Sequence, residues 1–377
     1  MIVGVPREIK TEEHRVGMTP AGVRELCGHG HEVLVQENAG AGVGLTDSAY
    51  RQAGARIVAD RDEIFSRAKL IVKVKEPQLE EAALLGSDQT LFTYLHLAAF
   101  PALTDALLES GVCAIAYETV TDPEGRLPLL APMSEVAGRM SIQAAAHFLE
   151  KPHGGSGVLL AGVPGVAPGR VLILGGGVVG KNAAQIAVGL GAEVTILDRT
   201  AVRMRELEAF FGNRVRTLYS SREEIEQQLA TADVVVGAVL IAGTSAPRLV
   251  TRDMLSLLRP GSVIVDVAID QGGCFETSRP TTHSDPVFEV DNIIHYCVAN
   301  MPGAVPRTST FALTSATLPF IQALADRGCE ARLREDVHLR HGLNVYKGQV
   351  THNGVAEALG KTGIAAETAL GMTRDTR

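Results

Sequence analysis

The sequence lacks the cysteine and charge patterns that mark several classes of protein. Its five cysteines are scattered along 377 residues, and none belongs to a C-x-x-C pair. An odd, scattered set argues against a disulfide framework or a zinc site and favours a reducing compartment. The formal net charge is -8 and no basic run occurs, which argues against nucleic acid or an anionic membrane as a partner. We therefore expect a cytoplasmic protein that binds neither.

Long uninterrupted apolar runs are also missing. The amino-terminal stretch MIVGVPREIK has no charged segment before its apolar run, and Pro6 and Arg7 interrupt that run. This pattern predicts a strand and not a signal peptide. Residues 152–168 carry His153 as their one titratable side chain, but glycines and prolines break the stretch repeatedly. Because a membrane-spanning helix needs about 20 predominantly apolar residues, we expect no membrane span.

The chain does contain two series of alternating strands and helices. Its apolar content of 46% and charged content of 21% are ordinary for a soluble globular protein, and its length allows two domains. The predicted strands are IVGVP, EVLVQ, LIVKVKE, TLFTYLH and CAIAYE, then VLILGGG, EVTILD, DVVVGAV, SVIVDVA and IIHYCVANM. Long helices are predicted at 133–150 and 309–325. The fold class is therefore predicted as α/β, with two Rossmann-like domains, each with a mostly parallel sheet, joined by long helices with the active cleft between them.

The second series opens with a glycine pattern typical of dinucleotide binding. Gly175, Gly177 and Gly180 follow a predicted strand in G-x-G-x-x-G spacing and open a helix, and Asp198 ends the next strand. The glycines allow a tight turn and close approach to a pyrophosphate, and the acid accepts hydrogen bonds from the ribose hydroxyls of NAD. Arg199 and Arg203 lie close by in the sequence, and an arginine there can accommodate the 2′-phosphate of NADP. The alternative is a simple glycine-rich turn with an aspartate that caps the next helix.

These patterns set the predicted domain boundaries. Residues 1–129 are predicted as the first part of a substrate domain, and 130–305 as an NAD-binding Rossmann domain. Residues 306–377 are predicted as a C-terminal helical segment that returns to the substrate domain.

Two aspartates interrupt the apolar strand VIVDVAIDQGGC. Asp270 lies just beyond the carboxyl end of the predicted strand, where ligands bind in open α/β sheets. Gly272 and Gly273 allow a sharp turn there. We therefore predict a functional role for Asp270 and a structural, hydrogen-bonded role for Asp266.

Cationic and titratable residues occupy comparable places in the first series. Lys73 and Lys75 lie in one predicted strand, with Lys75 nearer its carboxyl end, and His96 ends the next strand. Arg15 lies in the loop TEEHRVGMTP. Lysine and arginine suit a small carboxylate, and histidine suits proton transfer. The alternatives are a lysine that snorkels to solvent, a histidine satisfied in the core, and a surface arginine.

Ten segments together resemble the L-alanine dehydrogenases, whose superfamily includes the NAD-binding domain of proton-translocating transhydrogenase. The segments are VGVPREIKTEEHRV, KVKEP, FTYLHLAA, IAYETV, LPLLAPMSEVAGR, GVPGV, VDVAIDQGGCFE, SRPTT, YCVANMPG and PRTSTFAL. The resemblance covers nearly the whole chain but is weak after residue 330. It implies reversible, NAD-dependent oxidative deamination of L-alanine to pyruvate and ammonium by a homo-oligomer, a hexamer in the family.

The resemblance also implies roles for individual residues. Arg15 and Lys75 would bind the substrate, and His96 and Asp270 would act in acid–base catalysis. The positions implied to contact the cofactor are Ser134, Gly175, Gly177, Val178, Gly180, Asp198, Arg203, Ser220, Val239, Leu240, Val267, Asp270, Arg279, Val298, Asn300 and Met301. Family members are sometimes described with a magnesium ion, but Arg327 stands where a metal-binding histidine is expected, so no metal is predicted.

Three rival functions share parts of this pattern. A related oxidoreductase could act on a larger amino acid or join an amine to pyruvate. A transhydrogenase half-enzyme would lack a complete acid–base pair. A non-catalytic NAD-binding protein would share the fold without turnover.

Overall fold

The structure is a computed structural model that describes residues 1–239 and 246–372. The chain divides into two compact units. The first unit comprises Met1–Pro132 and Val305–Arg377, and the second comprises Met133–Ala304. Both are α/β, so the predicted fold class of two domains with mostly parallel sheets is confirmed. None of the helices in the described residues combines the length and apolarity that a membrane crossing requires.

The amino-terminal part of the first unit alternates strands and helices. Thr19 begins the first helix, because its side chain accepts a hydrogen bond from the Gly22 amide and Pro20 follows it with a fixed φ. The elements are β1 (Ile2–Val5), α1 (Pro20–Gly28), β2 (Glu32–Gln36), α2 (Asp47–Gln52), β3 (Arg56–Val58), α3 (Arg61–Arg67), β4 (Leu70–Val72), α4 (Leu79–Ala82), β5 (Thr90–Thr93), α5 (Pro101–Ser110) and β6 (Cys113–Ala116).

The second unit repeats this alternation after a long helix. Its elements are α6 (Ala131–Phe148), β7 (Arg170–Leu174), α7 (Val178–Leu190), β8 (Glu193–Asp198), α8 (Ala201–Phe211), β9 (Val215–Tyr219), α9 (Arg222–Leu229), β10 (Val234–Gly237), β11 (Val263–Asp266), β12 (Val287–Val290) and β13 (Ile293–Tyr296). Alternate residues of its strands enter two separate cores, Val171 and Ile173 in one and Leu172 and Leu174 in the other. This sheet is therefore covered on both faces, as its β-branched and leucine-rich strands require.

The chain then returns to the first unit. The elements are α10 (Pro306–Arg327), α11 (Cys329–Glu335), α12 (Val337–Arg340), β14 (Leu343–Tyr346), β15 (Gln349–Val350), α13 (Asn353–Leu359) and α14 (Ala366–Ala369). The prediction of a helical tail is thus incomplete, because β14 and β15 form a hairpin that pairs antiparallel to β6. Lys347 and Gly348 both have positive φ at its turn, at 47° and 80°, which matches the twist of a tight hairpin.

The two sheets share one strand order. The first runs β15-β14-β6-β5-β4-β1-β2-β3, and the second runs β12-β13-β11-β10-β7-β8-β9. Six consecutive strands of each sheet are parallel, from β6 to β3 in the first and from β13 to β9 in the second, and the remaining strands are added at the other edge through antiparallel pairing. In each sheet the order reverses beside the first strand, between β1 and β4 and between β7 and β10. Such a reversal opens a crevice at the carboxyl ends of the strands, where ligands bind.

Candidate active site

Buried charges surround the reversal point of the first sheet. Lys73 follows β4, is fully buried, and lies 3.1 Å from Glu8 and 2.9 Å from Glu81. Burial opposes its charged form, but the two carboxylates outweigh burial and hold the pKa of Lys73 above its ordinary value. The strand was predicted to continue through Lys75, yet it ends at Val72. Lys73 is therefore an internal ion-paired residue, and the alternative of a lysine that snorkels to solvent is wrong for it.

Arg15 is oriented by a neighbouring carboxylate. Its side chain is buried, and Nε and Nη2 donate to the two oxygens of Glu13 at 2.7 and 2.5 Å. Burial opposes the charge, but Glu13 more than compensates, so the pKa of Arg15 is raised. A cavity of about 320 Å³ in this unit is lined by Arg15, Glu8 and Glu13 together with loop residues. The alternative of a surface arginine is therefore wrong.

Lys75 and His96 follow adjacent parallel strands. The Lys75 side chain is mostly buried, and its backbone oxygen accepts a hydrogen bond from the Thr93 hydroxyl at 2.9 Å. His96 lies three residues beyond β5 with a left-handed backbone, φ 48°. Its ring stacks on Tyr94 with centroids 5.9 Å apart, and its side chain remains 38% exposed. The structure thus places His96 outside the core, at the same sheet edge as Lys75.

Glu118 holds the loop that carries His96. Its carboxylate accepts hydrogen bonds from the backbone amides of Leu95 at 3.1 Å and His96 at 2.6 Å. The same carboxylate lies 3.9 Å from His96 Nδ1. This arrangement fixes an unusual backbone conformation and places an acid beside the imidazole, a common way to orient a histidine for proton transfer.

At the reversal point of the second sheet lies a loop of glycines, which exposes backbone where the first sheet has charged side chains. Gly175 has φ 99°, a conformation that favours glycine. A Cβ placed on Gly180 would lie 1.9 Å from the Gly175 carbonyl oxygen, so helix α7 can pack this closely only with glycine there. Gly177 precedes the first residue of α7, Val178, whose side chain is exposed. This loop has the shape and the helix amino terminus that a dinucleotide pyrophosphate needs.

Asp198 connects this loop to the neighbouring strand. One carboxylate oxygen accepts from the Gly176 amide and the other from the Thr200 amide, each at 2.8 Å. Asp198 is half-buried at the carboxyl end of β8, where a ribose-binding acid is expected. Arg203 is exposed and forms an ion pair with Glu206 at 2.7 Å. The predicted acid is therefore fixed in place beside the glycine loop.

Most of the other predicted cofactor residues lie just beyond the carboxyl ends of the strands of the same sheet. They follow β9 (Ser220), β10 (Val239), β11 (Val267 and Asp270) and β13 (Val298, Asn300 and Met301). Ser134 lies in the first turn of α6, and the Arg279 guanidinium stacks 4.1 Å from the Phe288 ring centroid. Leu240 lies outside the described residues.

The two aspartates of VIVDVAIDQGGC have different surroundings. Asp266 is fully buried at the end of β11 and accepts hydrogen bonds from the Cys274 amide at 2.8 Å and the Ser278 hydroxyl at 2.6 Å. Burial raises the pKa of Asp266, and these donors partly offset the rise. Asp270 is exposed on a short 3₁₀ turn, Ile269–Gln271. The predicted structural role of Asp266 thus agrees with its contacts, and Asp270 is the carboxylate available to a ligand.

The position where the resemblance places a metal-binding histidine is occupied by an arginine in this chain. Arg327, at the end of α10, is a guanidinium that forms an ion pair with Glu335 at 2.6 Å and offers no metal ligand. Elsewhere in the described residues, His147, Glu150 and His153 have donor atoms within 4.8 Å of one another. All three are exposed near the carboxyl end of α6, at the opposite end of that helix from Ser134.

Three carboxylates near the predicted site were not identified from the sequence. Glu8 pairs with Lys73, Glu13 with Arg15, and Glu118 with the His96 loop. All three lie inside segments that carried the resemblance, Glu8 and Glu13 in VGVPREIKTEEHRV and Glu118 in IAYETV, so their position was a usable signal.

Comparison with known proteins agrees with this geometry. The fold and the glycine loop define the class as an α/β protein with a dinucleotide-binding type of loop. The chain matches the family models described as alanine dehydrogenase/PNT, N-terminal domain, over residues 4–137 and C-terminal domain over residues 141–353. It therefore belongs to the alanine dehydrogenase/PNT family, and the predicted resemblance is confirmed.

Individual relatives match along nearly the whole chain. An alanine dehydrogenase of Halomonas elongata is 58% identical over 98% of this chain and 100% of its own length. The alanine dehydrogenase of Bacillus subtilis is 55% identical, covering 98% of both chains. A solved structure of an L-alanine dehydrogenase superposes with a TM-score of 0.92 at 52% identity, over 96% of this chain and 99% of that one.

Proposed function

We propose that this protein catalyses the reversible, NAD-dependent oxidative deamination of L-alanine to pyruvate and ammonium. The observation that carries the proposal is that the strand order reverses once in each sheet, which gives two ligand-binding crevices. The chain that has this arrangement is 58% identical to an alanine dehydrogenase over 98% of its length. One reversal point presents cationic side chains suited to a small carboxylate. The other presents a glycine loop and an acid suited to a dinucleotide.

Lys75 and Arg15 bind the carboxylate of the substrate in this proposal. Glu13 fixes the plane of the Arg15 guanidinium through its Nε and Nη2 edge, so the orientation of the fork is set before a substrate arrives. Lys75 contributes a compact ammonium charge, mostly removed from water, where it interacts strongly with an anion.

His96 and Asp270 carry the proton transfers. The substrate amine must be neutral before hydride leaves Cα, so a base removes a proton. Water then adds to the iminium carbon, and the carbinolamine collapses to pyruvate and ammonia. Glu118 orients His96 through the loop amides, and both histidine and aspartate are suited to exchange protons with the substrate oxygen and nitrogen. When bound, the nicotinamide supplies the hydride acceptor.

Asp198 favours NAD over NADP. Its carboxylate accepts hydrogen bonds from ribose hydroxyls and repels a 2′-phosphate. The nearby Arg203, which could otherwise attract that phosphate, is engaged by Glu206.

The proposal extends to a cytoplasmic homo-oligomer, a hexamer by the resemblance. Size-exclusion chromatography with light scattering of the full chain measures this directly, and a monomer would contradict it.

The test of the activity is spectrophotometric. NADH formation is followed with L-alanine, and NADH consumption is followed with pyruvate and ammonium. Larger L-amino acids, and pyruvate with other amines, are run in parallel. We expect alanine and pyruvate with ammonium to give the highest kcat/KM. A higher value for a larger substrate would assign a related oxidoreductase, and NADH binding without any turnover would assign a non-catalytic role.

A further inference from the structure

Two cysteines that are remote in sequence meet in the first unit. Cys113 is the first residue of β6 and Cys329 is the first residue of α11, 216 positions later. Their sulfur atoms lie 3.0 Å apart, and both are free thiols. A disulfide has an S–S length of about 2.05 Å, so a movement of roughly 1 Å would join them.

The two thiols differ in exposure and in acidity. Cys113 is buried, whereas Cys329 is partly exposed. A hydrogen bond from the Cys113 thiol lowers the pKa of Cys329, and the same contact, together with burial, raises the pKa of Cys113 well above its ordinary value. Cys329 is thus the more exposed residue of the pair and the one with greater thiolate character, and Cys113 is the second thiol beside it.

We infer that Cys113 and Cys329 form an oxidation site that hydroperoxides convert to an intramolecular disulfide. The Cys329 thiolate attacks one peroxide oxygen, and the O–O bond breaks. This gives a sulfenic acid and hydroxide, which takes up a proton to become water. The Cys113 sulfur then attacks the sulfenic sulfur, forms the S–S bond and releases a second water. Overall, two thiols and one hydrogen peroxide give one disulfide and two waters, with sulfur oxidised and peroxide reduced.

The location of the pair predicts its effect. Cys113 starts β6, and β6 is parallel to β5, whereas His96 follows the carboxyl end of β5. The pair therefore lies at the amino ends of the strands, whereas the candidate site lies at their carboxyl ends. The disulfide should leave turnover nearly unchanged. It would tie α11 to the sheet across a long loop, which restricts the unfolded chain and raises stability.

Three other cysteines provide internal controls. Cys27 is partly exposed, and burial raises its pKa. Cys274 and Cys297 are buried, and burial raises the pKa of each to about 12. None of these three has the sulfur contact that Cys113 and Cys329 share in the described structure, so their reaction with peroxide should be much slower.

The experiment uses the full chain, reduced and then treated with hydrogen peroxide in slight excess. Intact mass and peptide mapping should show loss of two hydrogens and a link between the Cys113 and Cys329 peptides, in the parent and in the control Cys27→Ser. Cys329→Ser, a substitution at the more exposed position, should give no link. The thermal midpoint of the oxidised parent should rise by several degrees over the reduced parent, and that of Cys329→Ser should not.

Two results would overturn the inference. One is a gain of oxygen at Cys329 that persists without a link to Cys113. The other is oxidation of Cys27 as fast as that of Cys329. Neither outcome depends on which substrate the protein uses, so the proposed function can fail or stand separately.

Discussion

The two units share a strand order but differ in what they place at its reversal. In the first, Glu8 and Lys73 form a buried ion pair, and Arg15 and Lys75 are buried as well. In the second, Gly175 and Gly180 leave room for backbone alone. The topology fixes where a ligand can bind, and the residue types there decide which ligand that is.

The two reversal points also differ in the energetic cost of the groups that form them, because the first contains buried charges and the second does not. A buried ion pair gains little net stability, since desolvation offsets most of its attraction. The first unit nevertheless contains three buried carboxylates around two cations, Lys73 and Arg15. In the proposed function, such a network orients cationic side chains toward an anionic substrate. A glycine loop, in contrast, binds phosphate through backbone amides and needs no buried side-chain charge.

The largest expected effect tests whether both units contribute to the chemistry. His96→Ala in the first unit and Asp270→Asn in the second should each lower kcat by about 10²–10⁴-fold, the range for a positioned proton-transfer group. NADH affinity should survive His96→Ala, because the cofactor is assigned to the second unit. Steady-state kinetics and NADH titration measure the two quantities. Near-normal turnover of a variant would show that its residue is not a proton-transfer group. Loss of NADH binding in His96→Ala would show that cofactor binding is not confined to the second unit.

The next effect concerns Lys75. Lys75→Ala should weaken pyruvate binding by roughly 2–5 kcal/mol, because a charged hydrogen bond to a desolvated carboxylate is lost. Lys75→Arg should not restore it, since a planar fork differs in length and shape. Calorimetric titration of NADH, then pyruvate, separates the two sites. If NADH binding falls together with pyruvate binding, Lys75 is a cofactor or structural residue.

Lys73 provides the matched control. Lys73→Ala leaves two buried carboxylates without their cation, which should lower the free energy of unfolding by about 3–5 kcal/mol. Urea denaturation would show this loss for Lys73→Ala and a much smaller one for Lys75→Ala. Equal losses would mean that the two lysines are not divided between structure and substrate.

A smaller effect is expected at Asp198. Asp198→Ala should relax the preference for NAD over NADP by roughly 10–100-fold, corresponding to the loss of about 1.5–3 kcal/mol of charged hydrogen bonding. Turnover with saturating NAD should change less. The measurement is kcat/KM with each cofactor. A parent enzyme that uses both cofactors equally would show that Arg199 or Arg203 compensates.

The smallest expected effect concerns how the stability of the protein depends on pH through one histidine of the second unit. His295 in β13 is fully buried, and burial lowers its pKa below 6.5. As the pH falls below 6.5, the unfolded chain takes up a proton before the folded chain does, so stability falls. His295→Gln should flatten this fall at pH values below 6.5, as measured by urea denaturation at several pH values. An unchanged slope would assign the acid sensitivity to other groups.

Much of the second unit could be predicted from sequence because its signals are local. Gly175, Gly177 and Gly180 lie within one turn and one helix start, and Asp198 ends the following strand. The structural role predicted for Asp266 also rested on a local pattern, an acid inside a β-branched run. The family and the α/β class were confirmed by the matched relatives.

The first unit was harder to predict because its contacts are remote in sequence. Glu8 reaches Lys73 across the reversal point, and Glu118 reaches His96 from the next strand. A loop glutamate looks like a surface charge until its partner is known. The short edge strands β3, β9 and β12 carry little apolar pattern and were not predicted.

The discontinuity of the first unit has a consequence for folding during synthesis. The second unit is a single stretch, Met133–Ala304, so the strands of its sheet follow one another without a long interruption. The first sheet cannot be completed until residues 343–350 emerge, because β14 covers the edge of β6. Until then β6 presents unpaired amides and carbonyls, the kind of edge that recruits other chains. During most of its synthesis, the nascent chain therefore has an unpaired β6 edge that can pair with strands of other chains.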